Sequence, residues 1–462
     1  MKTMTRAVVA GSLALSLAGC SSSSGTDPAN TKSAEASGSE AGAAEASAQA
    51  SAQASAQASG AGPGGAGPGG TTAAKAIPLV ATPVQGGNGE APFNENRELK
   101  APQGWTVSVY ARVPSARLLA FTPDGKLLVS RPKYGDVLSV SQGAQTTLLR
   151  GLNQPHGLAF RGDTLYVAES DQVTSYAYAG GRATGKRVVA GGLPDAKSPE
   201  LRGAYSHALK SVALGQDGAV YISIGSTGNV SAEDRDASPE RASIVRVPPG
   251  GGPPATFARG VRNGTGLAVA PDGSVWTAVN NRDNIAYPYE GENQGKVFTS
   301  YVNDHPLEPL ARLTQGRELG WPYCNPDPDL KTPSYTNRPF VRDFQMNPDG
   351  SKLDCAQLRP VEQGMGAHSA PLGLAFGEAG SLGPGALVGI HGSWNRQPPR
   401  EPEVSFFAWR DNTLGPQQTI LTGFQAGDGS RWGRPVAAVA GPDKALYVSD
   451  DKAGAIYRVT TS

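Results

Sequence analysis

Six stretches of the chain repeat one pattern: a short apolar run, a turn that usually carries Asp-Gly, and a second short apolar run. They span residues 119–130, 157–168, 211–222, 266–277, 373–390 and 437–448. A glycine-bearing turn between two such runs joins antiparallel strands into a hairpin. A hairpin cannot bury both its faces alone, so self-similar units of this kind stack around an axis. The pattern therefore predicts an all-β, six-bladed β-propeller, with each hairpin forming the inner pair of strands of one blade. The run Trp105-Thr-Val-Ser-Val-Tyr110 precedes the first hairpin and is expected to complete the last blade, closing the ring. The interval after the fourth hairpin is far longer than the others, and 290–365 carries no clear copy of the pattern. It reads as an insertion, with a hidden seventh blade as the competing reading.

Upstream the pattern disappears. Residues 21 to about 76 hold Ser, Ala, Gly, Gln and Pro but no aromatic residue, Leu, Ile or Val. Such a segment buries too little apolar surface to offset its ordering entropy, so 21–90 is expected to be a disordered tether and 91–462 the propeller. Lys2 and Arg6 followed by the apolar run 7–18 have the form of an export signal. Leu17-Ala18-Gly19-Cys20 resembles the bacterial lipobox, which implies lipidation of Cys20, anchoring to a membrane and an extracytoplasmic location in the cell envelope. A plain secretory peptide with an incidental cysteine is the alternative. Export makes a disulfide between Cys324 and Cys355 the default, with two buried thiols as the other possibility.

Composition adds two constraints. Sixty glycines and 37 prolines suit short strands and turns rather than helices. A formal net charge of +1 leaves no global field to draw the protein to nucleic acid, so an anion site must be a local cluster.

The repeat also places such a cluster. In an antiparallel hairpin the residues just before the first strand and just after the second lie at the same end. The leading set holds His156, His207, Lys210, Arg262, Asn263, His368, Arg431 and Arg434; the trailing set holds Arg131, Glu169, Ser226, Asn280, Asn281, His391 and Asp450. Four of the chain's five histidines thus fall at one mouth of the central channel, where concave ligand sites form. An anionic or polar ligand is expected there.

Several segments carry a family resemblance. They are Pro155-His156-Gly157, the run from His207 to Gly225, Gly260-Val-Arg-Asn263, Asn281-Arg-Asp-Asn284, Leu319-Gly-Trp-Pro322 and His391-Gly-Ser-Trp-Asn-Arg396. In them the chain from about 100 to 460 resembles the pyrroloquinoline-quinone (PQQ)-dependent sugar dehydrogenases of the sorbosone, pyranose and soluble glucose type. The resemblance implies PQQ as cofactor, a sugar as substrate and an external electron acceptor, a quinone or a cytochrome. It implies His207 as the general base and Arg131, Arg262, Asn263, His391, Arg431, Arg434 and His156 as cofactor-binding residues. It also implies calcium (Ca2+) held by backbone carbonyls at Asn280 and Asn281. Three carboxylates on the cofactor call for guanidinium groups, which pair with carboxylates in bidentate fashion. Two departures lean away from the glucose enzymes: Ser206 stands where they place Asp, and His391 where they use Lys. A metal-dependent lactonase, drawing on Glu169, Asn263, Asn280 and Asp450, and a non-catalytic binding propeller are the competing functions.

Overall fold

The computed structural model describes residues 76–87, 89–331 and 335–461. The lipobox Cys20 and the Ser/Ala/Gly-rich run lie outside the described residues. All six predicted hairpins form, at Leu119–Phe121/Leu127–Arg131, Leu158–Arg161/Thr164–Ala168, Val212–Leu214/Val220–Ile224, Gly266–Val269/Val275–Ala278, Pro371–Glu378/Pro384–Ile390 and Pro435–Ala440/Leu446–Asp450. Each is the inner pair of an antiparallel sheet, numbered here blade 1 to blade 6 in that order. The second strands are packed on both faces by neighbouring blades and so read as continuous apolar runs rather than alternating ones. In Leu127–Arg131 the first four residues are buried, and in Pro384–Ile390 the last six. Blades approach closely where a side chain is missing. A Cβ on Gly389 would lie 2.1 Å from the Val436 carbonyl oxygen of the next blade.

Blade 6 is closed as the sequence suggests. Thr106–Arg112 pairs antiparallel with Ala455–Thr460, tying the strand that precedes blade 1 to the last strand of the described chain. The boundary expected at residue 91 is too late, however. Leu79–Gln85 pairs with Glu98–Pro102 and, at Val84 and Gln85, with the closing strand, so these residues add to the edge of blade 6. The reason is visible in the side chains: Leu99 and Ala101 are fully buried in the cluster around Phe406, Phe424 and Tyr457.

The long interval is not a seventh blade. It supplies the third and fourth strands of blade 4, Glu308–Leu313 and Gln363–Met365. Between them, Arg317–Glu318 extends blade 3 in parallel, and a hairpin of Cys324–Pro326 with Phe340–Arg342 carries the disulfide Cys324–Cys355 (Cα–Cα 5.7 Å). Among the described residues no helix is long and apolar enough to cross a membrane.

The innermost strands surround a cavity of about 290 Å³ lined by Leu119, Leu158, Val212, Leu267, Leu374 and Val439. It is apolar apart from backbone and a few hydroxyls, so the chemistry of the protein is sought at its mouth.

Candidate active site at the channel mouth

His207 precedes the inner strand of blade 3, and Ser226 follows the second strand of the same blade. Their pairing fixes the imidazole. Nδ1 of His207 lies 2.9 Å from Ser226 Oγ and 3.1 Å from the Ser226 carbonyl oxygen. The carbonyl can only accept, and Ser226 Oγ already donates to Gly228 O at 2.7 Å. Nδ1 therefore carries the proton and Nε2 keeps a lone pair. Burial and then the Arg262 charge push the His207 pKa down to about 3, so the ring is neutral. Close approach of the two strands needs Gly225: a Cβ there would lie 2.6 Å from His207 Cβ and from its carbonyl oxygen.

Arg262 and Asn263 come from the start of blade 4. Ser226 N donates to Arg262 O at 2.8 Å and Asn280 N to Asn263 O at 2.9 Å, linking blades 3 and 4 at the mouth. The Arg262 guanidinium donates to Asn229 O and Oδ1 at 3.2 Å and to Asn280 O at 3.1 Å, and lies 3.8 Å from Asp283. Asp283 also meets His368, whose Nδ1 is 3.2 Å from Oδ1 while Nε2 faces Val302 O at 2.7 Å. Burial opposes charge on His368, but the Asp283 hydrogen bond and the Glu308 charge outweigh it and raise the pKa. With an acceptor at each nitrogen, this ring donates twice, as an imidazolium.

A second group spans blades 5, 6 and 1. His391 Nε2 donates to Asp451 Oδ1 at 2.8 Å, and Arg117 holds Oδ2 of the same carboxylate at 2.8 Å. Burial drives His391 to a pKa of about 4, leaving a neutral ring with a lone pair on Nδ1. Arg434 donates to His391 O at 2.8 Å and Gly392 O at 3.3 Å. Arg431 donates to Gln425 Oε1 (2.8 Å), Ser393 O (2.5 Å) and Arg400 O (3.0 Å), all neutral acceptors. Burial and the neighbouring Arg434 charge lower the Arg431 pKa to about 10. An Arg431 guanidinium that meets neutral acceptors and a like charge in a partly buried recess is a setting that an anion relieves.

Three expected roles are corrected. Arg131 is not open to a cofactor carboxylate: its Nε and Nη2 hold Asp136 Oδ1 and Oδ2 at 2.8 and 2.5 Å, a pair set by strand register, and Tyr134 covers its face. His156 offers no positive charge. It is fully buried, burial and the Arg117 charge hold its pKa well below 6.5, and Nδ1 faces Lys210 O at 3.3 Å. The calcium site expected at Asn280 and Asn281 does not fit at the Asn280 carbonyl. The Asn280 oxygen already accepts from the Arg262 guanidinium, a cation where a second cation would have to sit. At Asn281 the N–H lies 2.7 Å from Glu308 Oε2 and the side-chain amide donates to Leu307 O, neither of which involves its carbonyl. Lys210 props a loop: its Nζ donates to Ala208 O at 2.6 Å and Pro194 O at 2.9 Å.

The sequence reading gave no role to Asp283, Asp451, Arg117 or Asn229. Asp283 and Asp451 each lie within two residues of a singled-out position, so a wider window after the second strand of each blade would have found both.

An all-β six-bladed propeller with imidazoles and guanidiniums collected at one channel mouth is the class this structure defines. The chain belongs to the TrAA12-like family, whose model matches residues 99–462. A pyrroloquinoline quinone-dependent pyranose dehydrogenase from Coprinopsis cinerea is 25% identical over 277 residues, 51% of this chain but only 37% of that protein's length. Among solved structures, the holo PQQ domain of the C. cinerea pyranose dehydrogenase superposes with a TM-score of 0.64 at 20% identity, over 78% of this chain and 97% of that one. A calcium structure of a Trichoderma reesei family AA12 protein gives 0.61 at 21% identity, over 78% and 96%. At these identities the likeness speaks for the fold.

Proposed function

We propose that the mouth binds pyrroloquinoline quinone and that the protein is an oxidoreductase oxidising a sugar, with electrons leaving to an external acceptor. The observation that carries this is the neutral, tautomer-fixed imidazole of His207 at the same mouth as the Arg431–Arg434 pair. The residues suit the cofactor's chemistry: Arg431 and Arg434 would meet its carboxylates, and Asn263 and the His391 ring lie at the same mouth. When bound, the quinone supplies a two-electron acceptor for hydride.

The chain's own part is proton transfer. His207 Nε2 takes the proton of the substrate hydroxyl as hydride leaves the carbon that bears it, so a CH–OH group becomes a carbonyl. The imidazolium so formed is stabilised by Ser226, which accepts from Nδ1 at two oxygens, and by the Asp283 charge, which acts to raise the His207 pKa. A positioned base of this kind contributes about 10²–10⁴-fold.

The lactonase reading needs acids and amides converging on the axis, and here they are engaged elsewhere. Asp450 accepts from the backbone of Arg434 and Ala453 and from Tyr457 Oη. Glu169 accepts from Asn153 N and Thr174 and meets Lys186. We further place the propeller on a lipid anchor at Cys20, outside the cytoplasm, on the strength of the lipobox resemblance. Reconstitution with PQQ tests the redox reading: a shifted quinone absorbance and dye reduction with an aldose panel support it, whereas neither with any sugar removes it.

A further inference from the structure

A cavity of about 210 Å³ lies apart from the channel, between the segment around Asn303 and the loop after His391. Trp394 lines it and remains 69% exposed. A single exposed aromatic residue is ordinary on a protein surface. Trp394 differs because its loop is fastened on both sides. The Asn303 side chain donates to Gln397 O at 2.7 Å and accepts from Gln397 N at 3.0 Å. Arg396 meets Asp304 at 3.6 Å, and Arg400 N donates to Ser393 Oγ at 2.7 Å. The backbone that carries the indole is therefore held beside a preformed recess, and little ordering of the loop remains to be lost on binding.

The remaining walls are mixed, with Val297, Phe298 and Val302 beside polar side chains. Asn284, Asn395 and Arg396 supply amide and guanidinium groups to the recess. Apolar faces together with amides and a guanidinium in one recess match a pyranose ring, which presents C–H bonds on its face and hydroxyls around its rim. The volume falls below the roughly 300 Å³ at which drug-sized pockets begin, and suits one ring. Asn395 joins this recess to the mouth: its Nδ2 lies 3.5 Å from Asp283 Oδ1, the carboxylate that also meets His368 and Arg262.

We propose that the Trp394 recess is a saccharide subsite that seats a non-reacting pyranose ring of a sugar longer than one unit, while the ring being oxidised lies at the mouth. This rests on the sugar-oxidising reading and gives that site a substrate class, the oligosaccharides.

The test separates the two. Cellotriose and maltotriose are titrated by calorimetry into the full chain without cofactor, as wild type, Trp394→Ala and Trp394→Phe, with folding checked by near-UV circular dichroism. The expected result is binding of at least one trisaccharide, weakened tenfold or more by Trp394→Ala and largely retained by Trp394→Phe. With cofactor and dye, Trp394→Ala should raise KM for that trisaccharide at nearly unchanged kcat and leave KM for glucose unchanged. Binding of neither trisaccharide, or equal binding by all three proteins, overturns the subsite. Trp394-dependent binding without dye reduction keeps the subsite and removes the redox reading; dye reduction with a KM indifferent to Trp394 does the reverse.

Discussion

Replacing Ser226 by alanine probes how His207 is held. In the native site Nδ1–H has two acceptors, Ser226 Oγ at 2.9 Å and Ser226 O at 3.1 Å. The substitution removes the first and leaves the second, because the carbonyl belongs to the backbone. The tautomer should thus survive while one hydrogen bond to the developing imidazolium is lost. A net hydrogen bond is worth about 1 kcal/mol, which corresponds to a roughly fivefold lower kcat. The ring should also become a slightly weaker base, since the lost Oγ acceptor favoured the imidazolium, while the backbone hydrogen bond to Ser226, which raises the pKa against burial and Arg262, remains. Because burial holds the His207 pKa near 3, the base form persists in acid, and any loss of kcat/KM assignable to His207 should begin well below the ordinary histidine pKa of about 6.5. Two assays check this: dye reduction by the reconstituted enzyme across pH, and ¹⁵N shifts of the His207 ring in the cofactor-free protein. A proton found on Nε2, or a loss beyond about a hundredfold in Ser226→Ala, would show that Ser226 does not hold the base in the way described.

Three further outcomes follow from the same geometry. Arg431→Ala and Arg434→Ala should each weaken PQQ binding about 10- to 100-fold by loss of a charge-assisted contact, whereas Arg131→Ala should leave binding intact, as measured by quinone absorbance titration. Gly225→Ala, whose added methyl group would meet His207 at 2.6 Å, should cost about 1–3 kcal/mol of stability in denaturant melts and lower kcat. Cys324→Ser with Cys355→Ser, which opens a loop of sequence separation 31, should lower stability by about 3–4 kcal/mol, while reductant should have no further effect on that variant.

How much of this was legible differs by level. The inner hairpins were, because strands buried on both faces carry an uninterrupted apolar run and a glycine-bearing turn marks each reversal. The outer strands of blade 4 were not. Glu308–Leu313 and Gln363–Met365 lie about 50 residues apart, and the disulfide-bearing hairpin between them breaks any local repeat. Rotational phase correctly brought His207 to Ser226, and Arg262 to Asn280. It could not say who would be satisfied by whom. Arg131 faces Asp136 directly across a tight turn, a cross-strand pair that register dictates and that a search for free cations overlooks. The Asn280 carbonyl failed as a calcium ligand for a similar reason, since carbonyl oxygens carry no sequence signal and Arg262 reaches it first. Trp394 stood within a quoted motif, yet its exposure and the fastening of its loop are properties of the folded chain alone.

The most direct trial is a single-turnover experiment on His207→Ala loaded with PQQ, in which the quinone spectrum is followed after mixing with sugar. If a mouth imidazole is the base, the variant should bind the quinone as the wild type does and reduce it at least a hundredfold more slowly. Reduction at the wild-type rate would contradict the account.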